Sequence, residues 1–236
     1  MLGARQGEEQ RTIHGISIAT VSTLQGKVLT VIVFDISPRI SPVLAVWPGD
    51  EAFSLKTRLS HARGDGLALS SLRGTLHLGA HADAPLHVLK DGAAIDEIDL
   101  EPFIGPCEVI EINLPPGGRI LPKHLEQPIR ASRVLFKTDS FVDRECFSKD
   151  FVALSPELIP FLKAQGCQLV GIDTPSVDLF ESQALECHHA LFGMGLRLLE
   201  GLDLSPVEPG LYTLAALPLR IQDGDGSPVR AVLLKD

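Results

Sequence analysis

The stretch from residue 77 to residue 87 constrains the fold more than any other part of the chain. Its sequence, HLGAHADAPLH, carries four groups that can bind a metal ion or transfer a proton. All four stand at odd positions, so a strand would direct their side chains to one face. A helix over these residues would contain Gly79 and would be broken by Pro85. The pattern therefore predicts a strand that gives way to a loop at Pro85. The four groups are His77, His81, Asp83 and His87.

This set of side chains favours a catalytic metal site. Imidazole and carboxylate ligands suit zinc, manganese or iron, and the stretch contains no thiolate of the kind that holds a structural zinc ion. Three ligands with an open position are typical of a catalytic centre. The alternative is a group of core or surface histidines beside a solvated aspartate. Three histidines and an aspartate on one period-2 face disfavour that alternative.

Charge and cysteine content exclude several classes of partner. A formal net charge of −9 opposes binding to nucleic acid, which needs a basic surface. The four cysteines form no CxxC pair, residues 1–11 lack the apolar core of a signal peptide, and no apolar run approaches a membrane span. We therefore expect a cytoplasmic protein with reduced thiols that binds neither nucleic acid nor a membrane.

Strands are predicted wherever β-branched and apolar residues cluster. The clearest example is KVLTVIVFDI at residues 27–36. The other predicted strands are residues 53–63, 66–72, 104–112, 133–138, 167–172, 211–221 and 229–234.

Two helices complete the predicted secondary structure. One follows Ser155, which is a good N-cap before a proline, and ends at Gly166. The other spans residues 181–192. Many strands with two main helices predict an α+β fold that is mostly β. We expect residues 1–30 to form an N-terminal extension, with a loosely attached lead-in up to about residue 26, and residues 31–236 to form one domain.

The second half of the chain offers two more candidate ligands, His188 and Glu200. Glu200 lies in the apolar run LLEGL, where burial would be costly without a cation partner. In one straight helix the two residues would be roughly 18 Å apart and could not share a metal ion. A shared site requires Gly193 and Gly195 to reverse the chain, so that Glu200 returns on a strand. The alternative is that Glu200 ends a helix and Gly201 follows as its C′ residue.

Other polar side chains receive structural or undefined roles. Asp173 and Asp178 lie in a loop after a predicted strand, where they could either orient the site or cap and turn the loop, and we favour the structural role for both. His61 and His124 are isolated, and we place them at the surface. His189, next to His188, is a candidate supporting hydrogen-bond donor without a primary role.

Trp47 precedes a Pro-Gly turn in the sequence WPGD. A tryptophan held in a loop can present a large apolar face to a ligand. It can equally cap the edge of the core, and the residues alone do not separate these two roles.

Three segments in the same order resemble the bacterial kynurenine formamidases, a branch of the cyclase-like metal hydrolase family. They are WPGD at 47–50, HLGAHADAPLH at 77–87, and GIDTPSVD…HH…LLE between 171 and 200. The closing segment YTLAALPLRIQDGDGSPVRAVL also matches, so the resemblance covers about residues 34–234. Ala80 replaces the threonine of the broader motif HxGTHxDxPxH, which points to the formamidase branch. Leu78 departs from the small polar residue that formamidases often carry.

The resemblance implies a swivelling β/β/α fold and a homo-oligomer, either a dimer or a tetramer. It also implies two zinc ions per subunit, at ligands that accept Mn²⁺ as well. By this resemblance, one metal ion is held by His77 and His81, the other by His188, and both by the bridging carboxylates Asp83 and Glu200. His87 becomes the proton donor and acceptor, and Trp47 lines the substrate pocket.

The function implied by the resemblance is hydrolysis of N-formyl-L-kynurenine to L-kynurenine and formate, a step of tryptophan degradation. Metal-activated hydroxide would attack the formamide. One alternative is a related enzyme that opens a cyclic amide such as isatin, in a branch that resembles a single-metal manganese enzyme. The joint presence of His188, Glu200 and Trp47 favours the formamidase. A second alternative is a metal-binding module without catalysis, which the non-ligand His87 disfavours.

Overall fold

The computed structural model of the chain describes residues 16–21 and 29–235. The rest of the predicted N-terminal extension lies outside the described residues. Residues 16–21 form a regular strand that pairs with the strand at 29–35, whereas the sequence pattern assigned them no element.

The described residues form fourteen strands and two α-helices. The first seven strands are β1 (Ile16–Val21), β2 (Leu29–Asp35), β3 (Ser54–Leu59), β4 (Leu69–Arg73), β5 (His81–Asp83), β6 (Ile104–Glu111) and β7 (Arg119–Ile120). The others are β8 (Arg133–Lys137), β9 (Ala153–Leu154), β10 (Leu169–Ile172), β11 (Arg197–Glu200), β12 (Gly210–Ala215), β13 (Gly226–Pro228) and β14 (Val232–Lys235). The helices are α1 (Leu158–Ala164) and α2 (Glu186–Gly193). The predicted α+β class, mostly β with two helices, is confirmed.

Ten of these strands form one curled sheet in the order β1-β2-β14-β12-β6-β8-β10-β11-β5-β13. Strands β6, β8, β10 and β11 run parallel to their neighbours in this group, and the remaining pairs are antiparallel. Parallel neighbours need a crossover connection. Helix α1 lies between β8 and β10 in the chain, and α2 joins β10 to β11, so the two helices supply crossovers.

The central strands are buried on both faces, as their near-continuous apolar sequences require. On β8, Val134 and Phe136 pack into the cluster that contains the helices, whereas Leu135 packs into the cluster on the opposite face. Strand β11 behaves in the same way, with Leu198 and Leu199 in different clusters. The central part of the sheet therefore lies between two apolar cores.

The histidine-rich stretch differs in part from its predicted conformation. Only His81–Asp83 is a strand, and a 3₁₀ turn over Pro85–His87 follows it, so the predicted change at Pro85 is confirmed. The prediction of one strand from residue 77 was wrong, because Gly79 adopts φ +62°, a left-handed conformation that interrupts extended backbone. A Cβ at Gly79 would also lie 3.2 Å from Pro38 Cγ.

Several predicted elements are shorter in the structure. The strand predicted to end at residue 221 stops at Ala215, and Pro218 follows shortly after. The helix predicted from residue 181 begins at Glu186, because Leu185 has φ +45° and cannot belong to a right-handed helix. The strand predicted over 53–63 ends at Leu59. Strand β13 was not predicted at all.

Candidate metal centre

The pairing of β5 with β11 builds the base of the site. The register places Glu200 directly opposite His81, and Leu198 opposite Asp83. Because side chains alternate along a strand, His81 and Asp83 share a face while Ala82 packs into the core behind them. The two acidic side chains and His81 are all at most 3% exposed.

Helix α2 brings His188 to the same place. Gly195, with φ +68°, follows the helix, and the chain then returns as β11. The alternative in which Glu200 ends a helix was wrong. The distance from His188 Nε2 to Glu200 Oε1 is 3.3 Å, so the two side chains share one centre.

Each of the two buried carboxylates faces His81 with one oxygen and His188 with the other. Asp83 Oδ1 lies 3.4 Å from His81 Nε2, and its Oδ2 lies 3.3 Å from His188 Nε2. Glu200 Oε2 lies 3.4 Å from His81 Nε2, and its Oε1 also accepts a hydrogen bond from the Val177 backbone N–H at 2.7 Å. The cluster therefore has a histidine on each side of a pair of carboxylates.

His77 joins this centre from the loop before β5. Its Nδ1 lies 2.8 Å from Asp83 Oδ1, and its Nε2 lies 3.0 Å from Asp225 Oδ2. Asp225 was missed by the sequence analysis, because the composition of DGDG at residues 223–226 is that of an ordinary turn. The turn before β13 carries it to the rim of the centre.

The outer ring nitrogens of His81 and His188 are also held. His81 Nδ1 lies 2.8 Å from the carbonyl oxygen of Gly79 and can donate to it. His188 Nδ1 lies 2.8 Å from Asp178 Oδ2, and the same carboxylate accepts the backbone N–H groups of Cys187 and His188. When Nδ1 carries the proton, Nε2 of each ring presents a lone pair to the centre, as a metal ligand must.

Asp178 therefore does more than the capping role assigned to it. It satisfies the first backbone donors of α2 and also orients His188. Asp173, by contrast, accepts the N–H groups of Thr138 and Asp139 and contacts no histidine of the centre, which matches its expected structural role.

The electrostatics of the cluster favour a bound cation. Burial by itself lowers the pKa of His77, but hydrogen bonds to Asp225 and Asp83 outweigh it and raise that pKa to about 10. Burial also opposes the charged form of His188, yet the nearby Glu200 carboxylate and the hydrogen bond to Asp178 hold its pKa well above the usual value. Without a metal ion, protons supply the positive charge that the carboxylates demand.

A metal ion fits the side chains that are present. Asp83 Oδ2 is buried and has no hydrogen-bond partner among the described residues, a costly arrangement that a cation would relieve. Three histidines next to Asp83 offer nitrogen donors: His77, His81 and His188. The donor atoms of His77, His81 and Asp83 all lie within 4.8 Å of one another. The donors are all nitrogen or oxygen, since the nearby Cys187 Sγ is directed to the Leu154 carbonyl. The cluster can hold a metal ion.

His87 lies beside the centre, on the 3₁₀ turn. Its ring centroid is 4.2 Å from that of His77 and 5.7 Å from that of His188, and its side chain is 30% exposed. Burial is the main cause that lowers its pKa. A neutral imidazole that is open to the cavity above can accept and return a proton.

A cavity of about 500 Å³ opens above the cluster. One wall is aromatic: Trp47 stacks on Phe180 at a centroid distance of 4.9 Å and meets Phe147 edge to face at 5.4 Å. Trp47 lines the cavity, the position that its ligand-contacting alternative requires. Phe147 and Phe180 were missed, because nothing in their local sequence links them to residues 47–50.

The remaining candidates lie outside the centre. His189 and His61 are exposed, and neither contacts the cluster. His124 is half-buried, and its Nδ1 accepts the Leu121 backbone N–H at 3.0 Å, so its placement at the surface was only partly right. Leu78, the departure from the family pattern, is 3% exposed and belongs to the core.

Within the described residues, no helix combines the length and apolar character needed to cross a membrane.

Comparisons with known proteins identify the family of the chain. The family model named Cyclase matches residues 34–179. A kynurenine formamidase from Salinibacter ruber is 45% identical over 203 residues, which cover 84% of this chain and 95% of that protein. A solved structure of a "predicted metal-dependent hydrolase" from Bacillus stearothermophilus is 26% identical, with a TM-score of 0.73 and coverage of 87% of this chain and 99% of that one.

A further solved structure, isatin hydrolase A from Labrenzia aggregata bound to benzyl benzoate, is 25% identical, with a TM-score of 0.74. The match covers 86% of this chain and 93% of that one. The family match spans more than half of the chain, and the formamidase match spans most of both proteins. The chain therefore belongs to the cyclase family, on the branch that contains the kynurenine formamidases.

Proposed function

We propose that the chain hydrolyses N-formyl-L-kynurenine to L-kynurenine and formate, as a step of tryptophan degradation. The observation that carries the proposal is the buried histidine–carboxylate cluster at the floor of an aromatic-walled cavity. Similarity to a kynurenine formamidase over most of both chains supports the choice of substrate. The substrate joins an aryl ring to a formamide, so the ring can pack on the wall while the formamide reaches the cluster.

Two zinc ions are the proposed cofactors. Asp83 and Glu200 each direct one oxygen toward His81 and the other toward His188, an arrangement suited to bridging two ions. His77 and His81 would complete one site, and His188 the other. When bound, the metal ions polarise the formyl carbonyl and lower the pKa of water toward neutrality. Mn²⁺ accepts the same ligand types, so the metal content of the purified protein is the test of identity.

His87 is the proposed proton donor and acceptor. Its lowered pKa leaves the imidazole neutral at pH 7, so it can first take a proton from the attacking water. It can then deliver that proton to the nitrogen of the leaving arylamine, which departs poorly as an anion. The position of His87 beside the cluster, with part of its ring open to the cavity, supports this role.

Trp47 is the proposed contact for the aryl ring of the substrate. One of its faces is already stacked on Phe180, which fixes the indole and leaves its cavity side free for a second aromatic ring. An offset-stacked or edge-to-face contact of this kind contributes about 0.5–1.5 kcal/mol beyond area burial.

A rate assay tests the proposal. Zinc-reconstituted protein is mixed with N-formyl-L-kynurenine, and kynurenine is followed by its absorbance, with isatin in a parallel reaction. Fast release of kynurenine that a chelator abolishes is the expected result. Opening of isatin without release of kynurenine would move the enzyme to the cyclic-amide branch, and activity on neither substrate would reject both assignments.

We also propose that the protein is a homo-oligomer, a dimer or a tetramer. The ribbon formed by β3 and β4 lies outside the main sheet, and its cross-strand pair Leu55 and Leu72 is 56% and 74% exposed. Leucines this exposed on a paired ribbon are suited to a partner subunit. Light scattering after gel filtration should give a mass above that of one chain, and Leu72→Lys should lower it.

A cytoplasmic location is proposed as well. The four cysteines are unpaired thiols, as expected in a reducing compartment. Cell fractionation should recover the protein with soluble cytoplasmic enzymes, and recovery in a secreted or membrane fraction would contradict this location.

A further inference from the structure

We propose that Asp225 is a positioning residue that fixes the ring of His77 and limits the movement of His87. The inference rests on the proposed metal site, although it does not depend on which substrate the enzyme hydrolyses. No role was assigned to Asp225 by its sequence context, which is that of an ordinary turn.

The ring of His77 contacts a carboxylate at each nitrogen. Nδ1 faces Asp83, inside the buried cluster, at 2.8 Å, and Nε2 faces Asp225, at the rim, at 3.0 Å. A neutral imidazole has one donor and one acceptor nitrogen. If Nε2–H donates to Asp225, then Nδ1 presents its lone pair to the centre that Asp83 and His81 share.

This arrangement completes a pattern among the three histidines of the cluster. The outer nitrogen of His81 is held by the Gly79 carbonyl and that of His188 by Asp178. Asp225 is the acceptor that does the same for His77. Carboxylate or carbonyl partners of this kind set the tautomer and orientation of a metal-binding imidazole.

The same oxygen of Asp225 also faces His87. Asp225 Oδ2 lies 3.6 Å from His87 Nδ1, which is longer than a hydrogen bond but close enough for attraction. The two rings are themselves 4.2 Å apart, so Asp225 lies at the edge where both meet. Loss of this carboxylate would loosen both rings together.

The backbone holds Asp225 in place independently of its side chain. Its carbonyl oxygen accepts the Ala84 N–H at 2.9 Å, and Gly226 pairs directly opposite Asp83. A Cβ on Gly226 would lie 2.9 Å from His77 Cε1, so the absence of a side chain there makes room for the ring. A substitution at residue 225 should therefore leave the turn intact.

The competing role for Asp225 is direct ligation. His77, His87 and Asp225 also have donor atoms within 4.8 Å of one another. A ligand and a positioning residue differ in one measurable way: removal of a ligand lowers the number of bound ions, whereas removal of a positioning residue weakens binding without lowering that number.

The test compares Asp225→Ala and Asp225→Asn with Asp223→Asn. Asp223 lies in the same turn, is exposed and has φ +55°, which asparagine tolerates, so its variant removes an equal charge without touching a histidine. Metal-free protein is titrated with zinc in competition with a chromogenic chelator, which gives affinity and stoichiometry without any formamide. Steady-state kinetics on N-formyl-L-kynurenine then give kcat and KM.

We expect Asp225→Ala to bind zinc about 10- to 100-fold more weakly at unchanged stoichiometry, and to lower kcat more than it raises KM. Asp225→Asn, which keeps an acceptor oxygen, should recover much of the affinity, and Asp223→Asn should match the parent. Parent-like zinc affinity in Asp225→Ala would overturn the proposal, and so would the loss of one zinc equivalent. If the parent protein binds zinc but does not hydrolyse the formamide, the proposed substrate fails while the zinc titration still decides the role of Asp225.

Discussion

Two buried aspartates in one loop allow the metal-positioning account to be separated from simple stability. Asp178 and Asp173 are both at most 4% exposed, and each accepts two backbone N–H groups. Their third partners differ. Asp178 holds His188 Nδ1 at 2.8 Å, whereas Asp173 holds the hydroxyl of Thr138 at 2.6 Å. The variants Asp178→Asn and Asp173→Asn therefore change the same charge at matched sites.

The expected loss of stability follows from the donors that each carboxylate serves. In Asp178→Asn, three charge-assisted hydrogen bonds become neutral or are lost, at about 1 kcal/mol each, so the free energy of unfolding should fall by about 3 kcal/mol. For a chain of this size that corresponds to a fall in Tm of about 6–12 °C. Asp173→Asn should lose less, because burial raises the pKa of Asp173 and so already disfavours its charged form. In Asp178, by contrast, burial is outweighed by hydrogen bonds from His188 and Cys187, and the pKa is lowered.

Zinc affinity gives the decisive contrast between the two variants. Asp178→Asn should bind zinc about 10- to 100-fold more weakly, whereas Asp173→Asn should retain the parent affinity. Thermal unfolding with a chelator present measures stability, and competition with a chromogenic chelator measures zinc binding below the transition. Equal losses of zinc affinity in both variants would refute the reasoning, because the effect would then come from a loosened loop. Parent-like affinity in Asp178→Asn would refute it too.

Three further predictions concern the same centre. Zinc uptake by the metal-free protein should release protons, because the raised pKa values of His77 (about 10) and His188 keep both rings protonated at pH 7. The affinity for zinc should therefore fall as the pH is lowered. Calorimetry in buffers of different ionisation enthalpy measures the proton release, and a heat of binding that is independent of the buffer would contradict it. His87→Ala should keep its zinc and lose turnover by about 10²- to 10⁴-fold, measured by elemental analysis and initial rates, and an unimpaired rate would remove His87 as the proton carrier. Gly226→Ala should displace the His77 ring and weaken zinc binding in a folded protein. Gly201→Ala should instead unfold the chain, because φ there is +65° and a Cβ would overlap a backbone carbonyl oxygen. Circular dichroism and zinc titration distinguish these two outcomes, and a folded Gly201→Ala protein would count against the described turn.

The sequence predicted best those features that depend on local pattern. The apolar run around Val134 predicted a strand, and a site shared by His188 and Glu200 required a chain reversal after the helix, which the structure has at Gly195. In both cases a short stretch of residues determines the local backbone, and burial then determines which side chains face inward.

The features that escaped prediction depend on contacts between distant parts of the chain. Asp225 lies 148 residues from the histidine that it holds, and DGDG is fully accounted for as a turn. Phe180 meets Trp47 only because the loops after separate strands converge above the sheet. His77 reached the centre although its strand was wrongly predicted, because the left-handed turn at Gly79 places its ring beside Asp83 by another route.

The central proposal is that Asp83 and Glu200, together with His77, His81 and His188, would hold two metal ions. Anomalous diffraction at the zinc edge from zinc-soaked crystals tests it most directly. The account predicts two peaks per subunit, each in contact with both carboxylates, one beside His81 and one beside His188. A single peak, or a peak held by His77, His87 and Asp225, would contradict it.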